Sequence, residues 1–582
     1  MRTPLQTFSA LLGTTVLMGS TALGLLAATP AAAAVITVGS DGACQFNNLP
    51  AAMAVTNSNG QDDEIRLANN ASYTFIAVQK SDGNELTIKG GYQNCASPNL
   101  AFQYTTLDGN GMSASVLSAK SGRLFLKNLQ ITGGAPSGDS AFGGGVNVTA
   151  GVQRIELQNV RITGNSARHG GGLSIAGKPG NWVMVKAMGL TVDDNYADHN
   201  GGGVHLAYAN GTVDSLLVEG NVASNDGGGI WMGTDAVLHN RSGRTRSGII
   251  GNRAKHNGGG IALVRGAGME MFHVRRAFAP AQISRNSAEI GGGVYIFNDR
   301  PGLTTGFNAS GIVGNGNSAT EEGGFAAIHT ISESDESVIA ALHIYAGAPP
   351  VGGGGVEYCG RPTECNLFSE NRAVDAKGAF KPGAMVSVVN LGRGGIGLAR
   401  FWNSTLSKNL GYNLFQHLSD KESGYAEEIH LQNSLVERNE AEKNLYAVEG
   451  DGSVYIFNST FAQNLIPAEA IATNGPTYIR GSIFADASPL LSAIPPNHSI
   501  FNLLVRNASG LSGLPLIFEA EPRFVDEANL DYRLRTDSPG LDREWNDGAI
   551  QQDLDLLPRN VDLPAVPDFN TPRDLGCFER QS

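Results

Sequence analysis

The chain has 582 residues, a formal net charge of −13 and 76 glycines, against the roughly 7% glycine of ordinary proteins. The glycines keep no collagen-like period and apolar residues lie between them, which excludes a triple helix and a low-complexity disordered chain. The acidic balance argues against nucleic acid or an anionic membrane as a partner.

The chain opens with Arg2, an apolar run "LLGTTVLMGSTALGLLAA" and then "TPAAAA". Small residues ending in an Ala-x-Ala pattern fit a secretory signal, residues 1–34, cut near Ala34. No later run reaches the ~18–20 apolar residues of a membrane helix, so the mature chain is expected to be exported without a transmembrane segment. Five cysteines suit an oxidising compartment. Two local bridges are expected, Cys44 with Cys95 and Cys359 with Cys365, leaving Cys577 over. No zinc spacing is present.

"NNLPAAMAVT", Asn47 to Thr56, reads as a short capping helix before the first strand-like segment, "DEIRLANNASYTFI". A repeat follows. "NSARHGGGLSI" begins at Asn165, and copies begin at Asn195, Asn221, Asn252 and Asn286, with a degraded sixth, "NSATEEGGFAAI", at Asn317. Each copy has a Val/Ile-rich alternating segment, Asn-x-Ala, a few polar residues, glycines and a second β-rich segment. No amphipathic helical period fills the gaps. Parallel strands without crossover helices predict a coil that winds on itself, a right-handed parallel β-helix whose turns lie about 4.8 Å apart. Glycine at a corner tolerates unusual backbone angles and fits beneath an identical neighbour. Asparagine there can bond both the local backbone and the asparagine one turn on. Stacking sterics explain the glycines better than a phosphate loop, since no helix with Lys and Ser/Thr follows them.

The rungs continue in "RFWNSTLSKN", "IHLQNSLVERN" and "VYIFNSTFAQN", where the triple glycine has gone. The expected layout is a β-helix with an N-terminal helical cap over residues 35–500 and a loop-rich C-terminal cap over residues 501–582, where Pro and Asp rise.

On these residues the chain resembles bacterial right-handed β-helix proteins of the pectin-lyase-like superfamily. The Asn-x-Ala…Gly-Gly-Gly-[Val/Ile] units look like the repeats of polymorphic outer-membrane-type proteins. The end, "PRFVDEANLDYRLRTDSPGLDRE…PRDLGCFE", is similar to the tail of the choice-of-anchor Q group, with Cys577 in a slot more often small and apolar. The resemblance implies this fold and secretion. Such relatives often carry an anchor after the tail; here the sequence runs only to "FERQS", so attachment is left open.

Enzymes of this fold place acid clusters with Lys, Arg or His on one face. A lyase needs a base and a cation facing the uronate, and a hydrolase needs two spaced carboxylates. Asp193 and Asp194, with His199 near, form the best such group. Their reading as solvated corner residues is the favoured one. His169, His199, Asp226 and His256 fall at nearly equivalent corners, and stacking would bring them within about 5 Å of one another, as a metal-binding or proton-relay ladder or as a plain polar column. Trp182, Trp231 and Trp402 read as packing residues or as sugar platforms. No cofactor motif is found. The favoured reading is a non-catalytic surface or extracellular protein that binds an extracellular polysaccharide or a surface protein. A polysaccharide lyase or hydrolase is the alternative, and a structural envelope or matrix component the third.

Overall fold

The computed structural model describes residues 34–581, except 58, 75, 81–82, 98, 102–103, 243–246, 274–279, 335, 346–365, 420–427, 451, 546–549, 568 and 570. The expected signal segment and the Cys359–Cys365 bridge lie outside the described residues. The chain is a parallel β-helix. The first glycine-repeat turns carry a long strand bent in the middle, a two-residue strand and a four-residue strand; in later turns the long strand is split at its bend, as in Gly395–Trp402 and Thr405–Ser407, and the short ones run together, as in Leu410–Ser419. One turn is Val183–Asp193, Tyr196–Ala197 and Val204–Ala207, paired in parallel with Ala209–Glu219, Val222–Ala223 and Ile230–Gly233 of the next. Among the described residues, no helix is long and apolar enough to cross a membrane.

Alternation sets which side chains go inside. Ile162, Val192, Val218, Ile249 and Ile283 stack in register along one interior column, and all are buried. Each contributes on the order of 1.5–3 kcal/mol by leaving water. The small Ala of each Asn-x-Ala unit, such as Ala197 and Ala223, is likewise buried.

Three different constraints produce the three glycines. Gly170 has φ +61°, in the left-handed region. A Cβ on Gly171 would lie 2.2 Å from the Tyr196 carbonyl oxygen of the next turn, and one on Gly172 would lie 2.8 Å from Asn195 Nδ2. The degraded copy compensates for its lost third glycine. Phe325 occupies that slot, and Gly314 replaces the aliphatic residue of the interior column. A Cβ on Gly314 would meet the rings of both Phe325 and Phe368, at 2.7 and 2.6 Å. Those two rings pack edge to face with centroids 4.8 Å apart.

The asparagines form one buried ladder. Asn165 donates its backbone N–H and its Nδ2 to Asn195 Oδ1, at 3.0 and 3.1 Å. Asn195, Asn221, Asn252, Asn286, Asn317, Asn371, Asn409 and Asn439 repeat this to Asn464. Asn464 hands over to Asp486 at 2.8 and 2.9 Å. The later Asn-Ser pairs have a second device. Asn403, Asn433 and Asn458 take positive φ at the bend of the long strand. The serines after them form a shorter ladder, Ser404 N–H to Ser434 Oγ, Ser434 N–H to Ser459 Oγ and Ser459 N–H to Ser482 Oγ.

At the start, the helix Leu49–Thr56 closes the coil, with Leu49, Ala52 and Met53 in the core and Asn48 capping it through a 2.9 Å bond from Ala51 N–H. Cys44 and Cys95 are disulfide-bonded. At the other end the coil runs beyond residue 500, through His498–Val505 to Ile517–Glu519. Leu490, Leu491 and Leu511 join the core there. The following tail turns back along the flank of the last turns. Phe524, Tyr532, Leu534, Leu575, Cys577 and Phe578 cover the outward side chains Leu435, Ala462, Ile483 and Leu504. Arg559, fully buried, fastens the tail by donating to Asn433 Oδ1, to the Gly576 and Asp574 carbonyls and to Glu544 Oε2.

Candidate functional site

The acidic group picked out in the sequence is dispersed. Asp193 ends its strand and is gripped by Arg161, Nε to Oδ1 at 3.0 Å and Nη2 to Oδ2 at 2.6 Å, with Thr163 Oγ1 at 3.2 Å. Asp194 takes positive φ at the corner and is exposed. Asp193 is thus committed to an ion pair with the preceding turn.

The imidazoles do come together. His169 lies 5.0 Å from His199 and 5.4 Å from His205, ring centroid to centroid, and stacks on Phe142 at 4.9 Å. His205, which the corner pattern did not reveal because it sits one strand later, stacks on Trp231 at 4.6 Å. Burial, with the neighbouring His199, pushes His169 down to about 4, and burial with His169 pushes His205 down to about 3. His256 pairs instead with Glu289 at 2.6 Å. Asp226 accepts from the backbone N–H and Nδ2 of Asn257, and burial raises its carboxyl above the ordinary value. Among the described residues, three metal-ligating atoms come within 4.8 Å of one another only at Asp41, Cys44 and Cys95, where the two sulfurs are bonded to each other. The indole of Trp231 is taken up by His205 and lies over Gly233, while Trp182 is half-buried.

A broader surface lies on the outer face of the long strands in the C-terminal half. The strands Val338–Tyr345, Gly395–Trp402, Glu428–Gln432, Ser453–Phe457 and Thr477–Phe484 stack in parallel. Leu342, Ile344, Phe401, Leu431, Ile456 and Ile479 point inward, so their neighbours point out. One outward column is His343, Arg400, His430, Tyr455 and Tyr478, and the next is Trp402, Gln432, Phe457 and Arg480.

The rings on this face touch in sequence. Tyr345 meets Trp402 at 5.1 Å, Trp402 meets His430 at 6.0 Å, and His430 meets Tyr455 at 5.5 Å and Phe457 at 5.3 Å. Tyr455 stacks on Tyr478 at 4.8 Å, and Arg480 lies 4.4 Å over Phe457. Arg400 Nε donates to Glu428 Oε1. Burial, with Arg400 beside them, pushes His343 down to about 4 and His430 to about 3. Both are neutral near pH 7. Among the described residues, His343 Nε2, His430 Nε2 and Trp402 Nε1 have no partner. These nitrogens are closed to solvent, so what the surface offers is its ring faces, which suit a ligand with C–H faces. Only Trp402 was picked out from the sequence. The signal for the rest is the alternation of "LARFW", "EIHLQ", "VYIF" and "TYIR" once they are aligned as rungs.

No family model matches the chain, and no curated protein matches its sequence.

Proposed function

We propose that this chain is an exported, non-catalytic β-helix protein of the pectin-lyase-like kind, at the cell surface or outside the cell, that binds an extended polysaccharide. The carrying observation is the continuous face of Tyr345, Trp402, His430, Tyr455, Phe457 and Tyr478. Successive turns repeat a ring about every 4.8 Å, close to the rise of a sugar unit along an extended glycan, and a solenoid offers such a face over its length. The repeats and tail motifs, together with the Cys44–Cys95 bridge, support export and the bacterial surface families named above. The test is native affinity electrophoresis of the mature protein in gels cast with a panel of neutral and uronate-containing polysaccharides. At least one should retard it, and Trp402→Ala with Tyr455→Ala should weaken that retardation roughly tenfold, as loss of two ring contacts predicts. A panel that leaves mobility unchanged defeats the reading. Release of unsaturated products or new reducing ends would replace it with the lyase or hydrolase alternative.

A further inference from the structure

Where the capping helix ends, three side chains are placed to react with one another. Lys80 follows the strand Ile76–Gln79, and its side chain and that of Asp63 are closed to solvent. Its Nζ lies 2.6 and 2.5 Å from the Thr56 and Gln61 carbonyl oxygens, 2.8 Å from Asp63 Oδ2 and 3.0 Å from Asn59 Oδ1. An ammonium has three protons for these four oxygens. The longest contact is the one that shares, and it sets the nitrogen beside the amide group of Asn59. Asp63 bridges the pair: Oδ2 faces Lys80, and Oδ1 accepts from Asn59 Nδ2 at 2.9 Å. The Gln61 N–H donates to Asn59 Oδ1 at 3.2 Å. An amine, an amide carbonyl, a carboxylate touching both nitrogens and a donor on the carbonyl oxygen are the parts of an acyl transfer.

We propose that Lys80 and Asn59 join through an intramolecular isopeptide bond, with Asp63 as the proton carrier. Keeping a buried ion pair out of water is costly. Passing a proton from Nζ to Asp63 Oδ2 leaves two neutral groups, and the amine is then a nucleophile held against its target. It adds to Asn59 Cγ, the carbonyl electron pair moves onto Oδ1, and the Gln61 N–H holds the charge that develops there. The carbonyl then re-forms, the Cγ–Nδ2 bond breaks and the nitrogen leaves. In sum, Nζ gives up two protons, Nδ2 departs with both as ammonium, and Asp63 ends as the carboxylate it began as. The balance needs no oxidant or reductant. Asn59 is exposed, so the ammonium has a way out, while the buried Lys80 side keeps water from the new amide. The bond ties the turn behind the helix to the residue after Ile76–Gln79. In the unreacted chain the ammonium makes that connection, and in the cross-linked chain the amide does.

The test is the intact mass of the mature protein with the Cys44–Cys95 bridge reduced, followed by trypsin digestion of the unfolded chain. The mass should fall short of the sequence by one ammonia. Trypsin should not cut after Lys80, and the segments holding Asn59 and Lys80 should appear as one branched peptide in fragmentation spectra. Asn59 precedes Gly60, and cyclisation of Asn59 onto the backbone would lose ammonia too, but that product leaves Lys80 cleavable. Asn59→Ala, at an exposed position, should fold, recover the full mass and restore the cut after Lys80. A parent of full mass, or one short by an ammonia yet cut after Lys80, overturns the proposal.

Discussion

An asparagine side chain carries one acceptor oxygen and one donor nitrogen, and each rung of the ladder uses both. Asn286 Nδ2 donates to the Ile249 carbonyl at 2.9 Å and to Asn317 Oδ1 at 3.0 Å, while its Oδ1 accepts from Asn252. Asn286→Ala removes these bonds and strands the partners in a dry interior, at about 1–3 kcal/mol for each orphaned group. Urea unfolding should show a loss of at least 3 kcal/mol at unchanged m-value, and a loss below 1 kcal/mol would mean that the ladder is decorative. Asp486 at the ladder's end behaves differently. It accepts the two Asn464 bonds but has no amide, and burial pushes its carboxyl up to about 6. A raised folded pKa means that the native state holds its proton while the unfolded chain has lost it, so this group's contribution falls as pH rises from about 4 to about 6. Asp486→Asn removes the buried charge, and its single Oδ1 would take both Asn464 bonds, now made to separate oxygens, in the way each asparagine rung does. It should be more stable than the parent at pH 7.5 and indistinguishable from it at pH 3.5; equal stability at both pH values would contradict the buried charge.

At the scale of elements, the tail is the least autonomous part. Its motif Asp574-Leu575-Gly576-Cys577-Phe578-Glu579 is folded by its own carboxylates. Glu579 accepts from the Asp574 and Val561 N–H groups, Asp574 from those of Asp542 and Arg580, and Asp553 from that of Glu579. Burial, reinforced by the Asp574 charge, pushes Glu579 up to about 8, and burial pushes Asp574 to about 6. By the same sign argument, tail docking weakens as pH rises between about 4.5 and 8, at up to about 1.4 kcal/mol per pH unit for each group. Limited proteolysis should cut the tail faster at pH 8 than at pH 5.5, and Glu579→Gln should flatten that difference; a parent cleaved equally at both pH values would refute it. The repeats were legible in the sequence because one steric demand recurs in every turn and leaves the same residues each time. The tail's docking was not, since Arg559 and Asn433 stand 126 residues apart and no local period links them. The aromatic face was hidden for a related reason. The outward set is fixed by strand register, and the unequal lengths between rungs mask that register until the strands are paired. The acidic corner is the opposite case: Asp193 and Asp194 are adjacent in sequence, yet strand register sets Asp193 against Arg161 of the preceding turn and leaves Asp194 exposed.

For the whole molecule, the governing problem is the ends. A stack of parallel turns exposes an unpaired strand edge at each end, and such an edge recruits other chains. At the N-terminal end the strand Ala34–Val38 pairs with Asp63–Ala68, and the capping helix lies over the core beside them. One buried cation ties these parts together. Lys80 is 1% exposed, and its Nζ donates to the Thr56 and Gln61 carbonyls at 2.6 and 2.5 Å, to Asn59 Oδ1 at 3.0 Å and to Asp63 Oδ2 at 2.8 Å. The helix C-terminus, the turn after it and the second strand therefore share a single ammonium. Lys80→Met keeps the volume but leaves Asp63 buried without its cation, a loss of about 3–5 kcal/mol when one partner of a buried pair is removed. In a quasi-one-dimensional stack that loss is felt by the nearest turns and not by distant ones. Hydrogen exchange should quicken around residues 34–92 and stay unchanged around the glycine ladder. The freed edge should then appear as concentration-dependent association in light scattering, relieved by the double change Lys80→Met with Asp63→Asn, which removes the stranded charge. Uniformly faster exchange along the coil would show instead that the turns unfold as one cooperative unit, and a monodisperse Lys80→Met protein would show that the cap is held by its apolar contacts alone.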